Sequence, residues 1–288
     1  MRLATISTAG GDRVVAVRDG KYIDLSQADP QIPRSLKDLL ARETGLAQAR
    51  AAAERGLAAA MFVSGRLLAP VPSPGKVICI GLNYRDHAAE SGMAPPPEPV
   101  VFSKFSQSVI GPDEPVRLPA VCREVDYEAE LVVVIGKRGK HIPRSEALKH
   151  VAGYTNGNDV SSRDWQLNKP GKQWLLGKTP DTFAPTGPWL VTADEAPDSR
   201  NLSIALRLNG QTMQNSNTRE LIFGVDELIA YISQLAALEP GDLIFTGTPP
   251  GVGMARKPPV WLKPGDVCEV EIAGLGVLRN PIVADESP

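Results

Sequence analysis

The segment DYEAELVVVIG, residues 126–136, places Asp126, Glu128 and Glu130 within five positions, directly ahead of the apolar run from Leu131 to Ile135. In an extended strand residues i, i+2 and i+4 share a face. The three carboxylates then point one way and Tyr127, Ala129 and Leu131 the other, with neighbours on one face about 7 Å apart. Like charges gathered at the mouth of a buried strand repel and lose hydration, which raises their pKa values or calls for a cation. Carboxylate oxygens, in a chain whose only histidines are His87, His141 and His150, select Mg2+ or Mn2+ over zinc. The same residues also read as a solvated strand end whose acids face water.

Four further stretches carry candidate chemistry. Asp159 stands in GYTNGNDVSSRDW, residues 153–165, read as a Gly- and Asn-rich loop that presents its side chain rather than packing it. Glu128, Glu130 and Asp159 together set three negative charges against a divalent ion, and Lys178, the one basic residue in WLLGKTPDTFAP, brings such a site to neutrality. Taken alone, Lys178 is a solvated surface residue. In CIGLNYRDHAAESGM, His87 and Glu90 lie at i and i+3 of a short helix, so Glu90 can orient the imidazole and stabilise its protonated form, as a general base for water requires. The plain alternative is a surface ion pair. The loop FTGTPPGVG, residues 245–253, offers the hydroxyls of Thr246 and Thr248 to a substrate oxyanion or carboxylate and lacks the GK[ST] of a phosphate-binding loop; tight turn chemistry also explains it.

The elements that must hold these residues are mostly short strands. KVICIGLN, PVVFSKF, EAELVVVIG, LSIALRLNG, DLIFTGTP and DVCEVEIAGLGVL each read as one strand, and the repeated turns LEPGD and LKPGD point to a sheet that rolls or closes on itself. One amphipathic helix carries Val225, Leu228, Ile229, Ile232 and Leu235 and stops at Pro240-Gly241. Residues 1–68 read as a small module, with strands RLATIS, RVVAVRDG and KYIDLS and a helical stretch broken near Gly45; LLAPVPSPGK connects it to a larger region at 75–283. The expected class is mixed α+β and β-rich.

Composition narrows the partners. A 288-residue chain with 42% hydrophobic residues can build a substantial core, and a net charge of -2 gives no electrostatic footprint for nucleic acid or an anionic membrane. Cys79, Cys122 and Cys268 have no CxxC spacing, no run of about eighteen apolar residues occurs, and no presequence is visible, so a cytoplasmic protein is expected, its partners to be argued from its sites.

Taken together and in this order, GLNYRDHAAE, DYEAELVVVIG, NDVSSRDWQ, GKTPDTFAPTGPWLVT and TGTPPGVG closely resemble the fumarylacetoacetate hydrolase family over roughly residues 75–283. The resemblance implies a β-roll catalytic fold, a homodimer, and a Mg2+ or Mn2+ site at Glu128, Glu130 and Asp159 with Asp126 beside it. It also implies a catalytic lysine at Lys178, a His87–Glu90 pair on a mobile lid, and substrate contacts at Tyr84, Arg163, Gln166 and Thr248. Within the family, GNDVSSRDWQ, GKQWLLGKTPDTF and SNTRELIF most resemble a mitochondrial branch described as oxaloacetate tautomerase. Pro180 departs from relatives that commonly carry a bulkier residue such as Phe, which changes the pocket beside Lys178.

The implied substrates are 2-keto or 2,4-diketo acids, whose carboxylate and keto oxygens can chelate the metal while an enolate forms. Hydrolysis, decarboxylation and tautomerisation share that enolate. The reading placed first is carbon–carbon hydrolysis of an acylpyruvate, with His87 as the base for water and Glu90 orienting it. The alternatives are an oxaloacetate tautomerase or decarboxylase, an isomerase of the 2-hydroxyhepta-2,4-diene-1,7-dioate type, and, more remotely, a non-catalytic metabolite-binding protein.

Overall fold

The run from Leu131 to Ile135 is apolar without alternation because both faces of its strand are covered. Leu131, Val133 and Ile135 pack into one hydrophobic cluster, and Val132 and Val134 into another. All five are fully buried, each worth on the order of 1.5–3 kcal/mol of burial. The structure, a computed structural model, describes residues 1–286.

In chain order the strands that frame the site are β1 (Arg2–Thr8), β2 (Gly11–Arg18), β3 (Lys21–Asp24), β4 (Val77–Gly81), β5 (Val100–Lys104), β6 (Ala129–Ile135), β7 (Val151–Asn158), β8 (Ala184–Thr192), β9 (Ser203–Leu208), β10 (Gln211–Asn217), β11 (Leu243–Phe245), β12 (Val267–Ile272) and β13 (Gly276–Ala284). The helices used below are α1 (Gly45–Ala58), α2 (Arg85–Glu90), α3 (Arg163–Leu167), α4 (Leu175–Lys178) and α5 (Val225–Ser233). The large sheet runs β3-β2-β1-β8-β7-β6-β11-β4-β5, and a second runs β10-β9-β12-β13. Ile204, Leu206, Val270, Ile272 and Leu278 of the second sheet share a core with Leu131 and Val133 of the first. The class is mixed α+β and β-rich, as the sequence patterns indicate. The N-terminal strands belong to the large sheet, joined where Leu3 pairs with Leu190. Among the described residues no helix is long and apolar enough to cross a membrane.

Four local expectations are corrected. The strand at DYEAE is interrupted: Val125–Asp126 forms its own short ladder with Ser161–Ser162, and β6 begins only at Ala129. Across the gap, side-chain amides replace backbone partners: Glu128 N donates to Asn158 Oδ1 at 2.9 Å and Ala129 N to Gln214 Oε1 at 2.8 Å. The Gly- and Asn-rich stretch before Asp159 is a wholly buried strand, β7. Gly157 is needed there because a Cβ would stand 2.4 Å from Val132 Cγ2 and 2.6 Å from Phe245 Cε1, so the composition marks close packing rather than a loop. Finally, DVCEVEIAGLGVL is a hairpin of β12 and β13, and α5 ends at Ser233, leaving Leu235 exposed.

Candidate active site

Strand pairing brings the acids together. Glu130 lies opposite Gly157 on β7, and two residues later Asp159 N donates to Glu128 O at 2.9 Å, which sets the Glu128 and Asp159 side chains side by side. One carboxylate oxygen from each of Glu128, Glu130 and Asp159 lies within 4.8 Å of the others, and all three residues are buried.

Cations stand around this cluster. Lys178, at the end of α4, donates to Glu128 Oε2 at 2.8 Å and Asp159 Oδ2 at 2.9 Å. Arg163, opening α3, reaches Glu128 Oε1 at 2.6 Å and Asp126 Oδ2 at 2.8 Å. Lys104, at the end of β5, has its Nζ 2.6 Å from Asp159 Oδ1. Four buried carboxylates therefore face three cations, and among the described residues Glu130 is the carboxylate with no cation at ion-pairing distance. Its one hydrogen-bond donor is Gly247 N at 2.7 Å. Burial, reinforced by Asp159 and Glu128, pushes Glu130 well above the usual carboxylate range. Burial acts to raise Glu128 too, but Lys178 and Arg163 outweigh it and hold that carboxyl low. Likewise burial pulls Lys178 down while Asp159 and Glu128 hold it up, and for Lys104 burial wins.

The residues fit a divalent cation. Among the described residues Glu130 accepts one hydrogen bond and pairs with no cation, so the cluster keeps carboxylate oxygen lone pairs available beside Glu128 and Asp159. Asp126, by contrast, is satisfied by Tyr127 N, Gly253 N, Met254 N and Arg163, which keeps it beside the cluster.

The loop 246–254 is a receptor for carboxylates. Gly247 N holds Glu130, Gly253 N and Met254 N hold Asp126, and Gly251 N holds both Glu90 oxygens at 3.0 and 3.1 Å. Gly247 has φ +103, and a Cβ there would stand 2.7 Å from Asn83 Cβ, so its amide can turn to Glu130 only as glycine. Through Glu90 the loop clasps α2, and Glu90 Oε2 lies 3.2 Å from His87 Nδ1. Arg85 Nη1 donates to Leu221 O at 2.7 Å, and Asp86 accepts from Ser216, which ties the helix down on its other side.

A cavity of about 200 Å3 opens onto the cluster. His87, Glu128, Glu130, Arg163, Gln166 and Lys178 supply its polar lining, and Phe102, Trp174, Met93 and Leu167 its apolar wall. Lys178 Nζ, with two of its three N–H groups engaged, sits 4.9 Å from the centre of the Phe102 ring. Gln166 Oε1 accepts from Arg163 Nη1 at 2.9 Å, which fixes the amide so that its NH2 has no acceptor among the described residues.

Of the expected substrate contacts, Thr248 and Arg163 line the cavity and Tyr84 does not. The Thr248 side chain reaches the cavity, but its hydroxyl donates to Ala129 O at 3.0 Å and accepts from Gln214 Nε2 at 2.9 Å; Thr246 donates to Leu131 O. Both hydroxyl protons therefore serve β6. Arg163 lines the cavity with a guanidinium already engaged by Asp126, Glu128 and Gln166. Tyr84 is fully buried outside the cavity, its hydroxyl without a hydrogen-bond partner. Sequence reasoning missed Lys104 and Gln214. The available signal for Lys104 was a lone cation closing the apolar strand VVFSK.

Against known proteins, the family model described as fumarylacetoacetate (FAA) hydrolase C-terminal matches residues 76–283. A Xenopus laevis protein named as a mitochondrial oxaloacetate tautomerase is 50% identical over 265 residues, 92% of this chain and 83% of that protein. Among solved structures, a fumarylacetoacetate hydrolase from Exiguobacterium antarcticum superposes with TM-score 0.84 at 35% identity, covering 99% of both chains. A maleylpyruvate hydrolase from Sphingobium sp. SYK-6 superposes with TM-score 0.80 at 33% identity, covering 99% of this chain and all of that one. The cytoplasmic expectation is corrected by the first of these, since a relative half identical over nearly the whole chain is named mitochondrial. Free cysteines and a missing apolar run do not distinguish the two compartments.

Proposed function

This chain is an enzyme of the fumarylacetoacetate hydrolase family, and on that premise we propose that it is a Mg2+- or Mn2+-dependent oxaloacetate tautomerase, interconverting the keto and enol forms of that small acid. The observation that carries this reading is one small cavity in which a lysine with a free N–H, a glutamine with a free NH2 and a carboxylate-held histidine face a buried acidic cluster. The relative named as an oxaloacetate tautomerase supports it over hydrolysis, the reading that the sequence motifs placed first.

When bound at Glu128, Glu130 and Asp159, the divalent ion supplies Lewis-acid charge for the substrate's keto oxygen. The Gln166 NH2 holds a substrate carboxylate. Lys178 directs its free N–H at the oxygen on which negative charge develops, an interaction that strengthens toward the transition state. With Nδ1–H donated to Glu90, His87 presents Nε2 as the base. It takes a proton from carbon 3, the C–H electron pair becomes the carbon 2–carbon 3 double bond, and the carbonyl π pair moves onto the keto oxygen, which takes a proton from water while the protonated His87 returns one to water; the reverse sequence restores the ketone. Phe102, Trp174 and Met93 keep the volume small and limit water.

Hydrolysis of an acylpyruvate is the second reading, favoured by the likeness to a maleylpyruvate hydrolase. There His87 would deprotonate water instead of carbon. Incubating metal-loaded protein separately with freshly dissolved enol oxaloacetate and with acetylpyruvate, followed by ultraviolet absorbance and product NMR, decides between them. Rapid ketonisation of the first without cleavage of the second is expected; pyruvate and acetate from the second would overturn the tautomerase reading. The proposal includes a homodimer, for which sedimentation should give twice the chain mass.

A further inference from the structure

Lys104 is the most enclosed cation of the site, with a fully buried side chain that does not line the cavity. Its Nζ donates to Val160 O at 2.8 Å, to Phe183 O at 2.7 Å and to Lys178 O. It also lies 2.6 Å from Asp159 Oδ1. An ammonium has three N–H groups, so four acceptors exceed its capacity. The three carbonyls accept hydrogen bonds from Nζ, and Asp159 Oδ1 makes the fourth contact as a buried ion pair. Those carbonyls come from separate pieces of chain: the residue after Asp159, Lys178 itself, and Phe183 beyond the Pro180 turn. The next residue extends the tie, since Phe105 N donates to Thr179 Oγ1 at 2.7 Å.

Asp159 and Lys178 are thereby fixed by a single group that touches neither the cavity nor a substrate. We infer that Lys104 is a positioning residue, which fixes the Asp159 carboxylate beside the metal position through their buried ion pair and anchors the Lys178 main chain so that Nζ reaches Glu128 and Asp159. The inference rests on the reading of Asp159 as a metal ligand and Lys178 as a catalytic group.

The test compares the parent with Lys104→Met, which removes charge and donors, and Lys104→Gln, which keeps donors without charge. Mn2+ binding to the metal-free folded proteins is followed by calorimetry, and kcat and KM for enol oxaloacetate are measured alongside. Loss of an outer-shell partner should weaken Mn2+ binding and lower kcat, each on the order of 10–100-fold, with KM little changed. A folded variant with parental Mn2+ affinity and kcat, reduced only in melting temperature, would reduce Lys104 to a structural ion pair and overturn the inference. Should neither variant fold, lysine-labelled parent protein still decides: the protected Lys104 ammonium resonance should shift on addition of Mg2+, and an unmoved signal refutes the coupling. A parent that takes up no metal at all would instead bring down the metal-site reading, and this inference with it.

Discussion

Glutamine in place of Glu130 is the sharpest perturbation of the acidic cluster, because that carboxylate has like charges for neighbours and no cation of its own. Its ligand oxygen lies within 4.8 Å of those of Glu128 and Asp159, and at an effective dielectric of about 20 each such neighbour costs about 3.5 kcal/mol when all are ionised. Burial and these neighbours favour the protonated form of Glu130 in the metal-free protein. Its folded pKa is raised above the ordinary value of 4.5, so the native chain holds the proton longer than the unfolded one. The associated stability is complete below that ordinary value and is lost as pH rises toward the folded value, at about 1.4 kcal/mol per pH unit. Glu128 acts oppositely: its folded pKa is lowered, and the stability it contributes is lost only as pH falls below the ordinary range.

In chelator-treated protein, raising the pH above the ordinary carboxylate value should therefore lower the melting temperature of the parent, whereas Glu130→Gln should be flatter over that interval. Calorimetry in buffers of different ionisation heat should show protons released as metal binds to the parent. Metal-induced stabilisation should vanish in Glu130→Gln. A parental melting temperature that stays level or climbs over that interval, or a variant that tracks the parental slope, would refute the assignment of an uncompensated carboxylate at this position.

Lys178→Met should lower kcat for ketonisation by on the order of 100–1,000-fold while the folded protein still binds metal, as calorimetry and steady-state rates would show. Thr248→Val should leave KM within a few-fold of the parent and cost about 1–3 kcal/mol in denaturant unfolding, because the hydroxyl serves Ala129 O and Gln214 rather than substrate; a hundredfold rise in KM would restore it as a contact. Glu90→Ala removes the acceptor for Gly251 N and the partner of His87, so limited proteolysis should cut faster near α2 and kcat/KM should fall by roughly 10–100-fold.

The sequence alone determined what could be read over a few residues. Spacing of i and i+3 put His87 with Glu90, the acid–apolar step at 126–136 marked oxygen ligands at a buried strand, and ordered motifs led to the family. It misled where composition had two meanings: the glycines and asparagines of residues 153–158 suit a loop equally well as a strand packed too closely for a Cβ, and only Val132 and Phe245 across the sheet decide. The tertiary structure alone decided which groups stay available. Thr248 looked like a donor until Ala129 O took its proton, Lys104 looked like an ordinary strand end until three carbonyls and Asp159 surrounded it, and the backbone amides of 247–254 bear no sequence signal for the carboxylates they hold. The physical reason is that a hydrogen bond is decided by partners far along the chain, so the supply of donors is written in the sequence while their engagement exists only after folding.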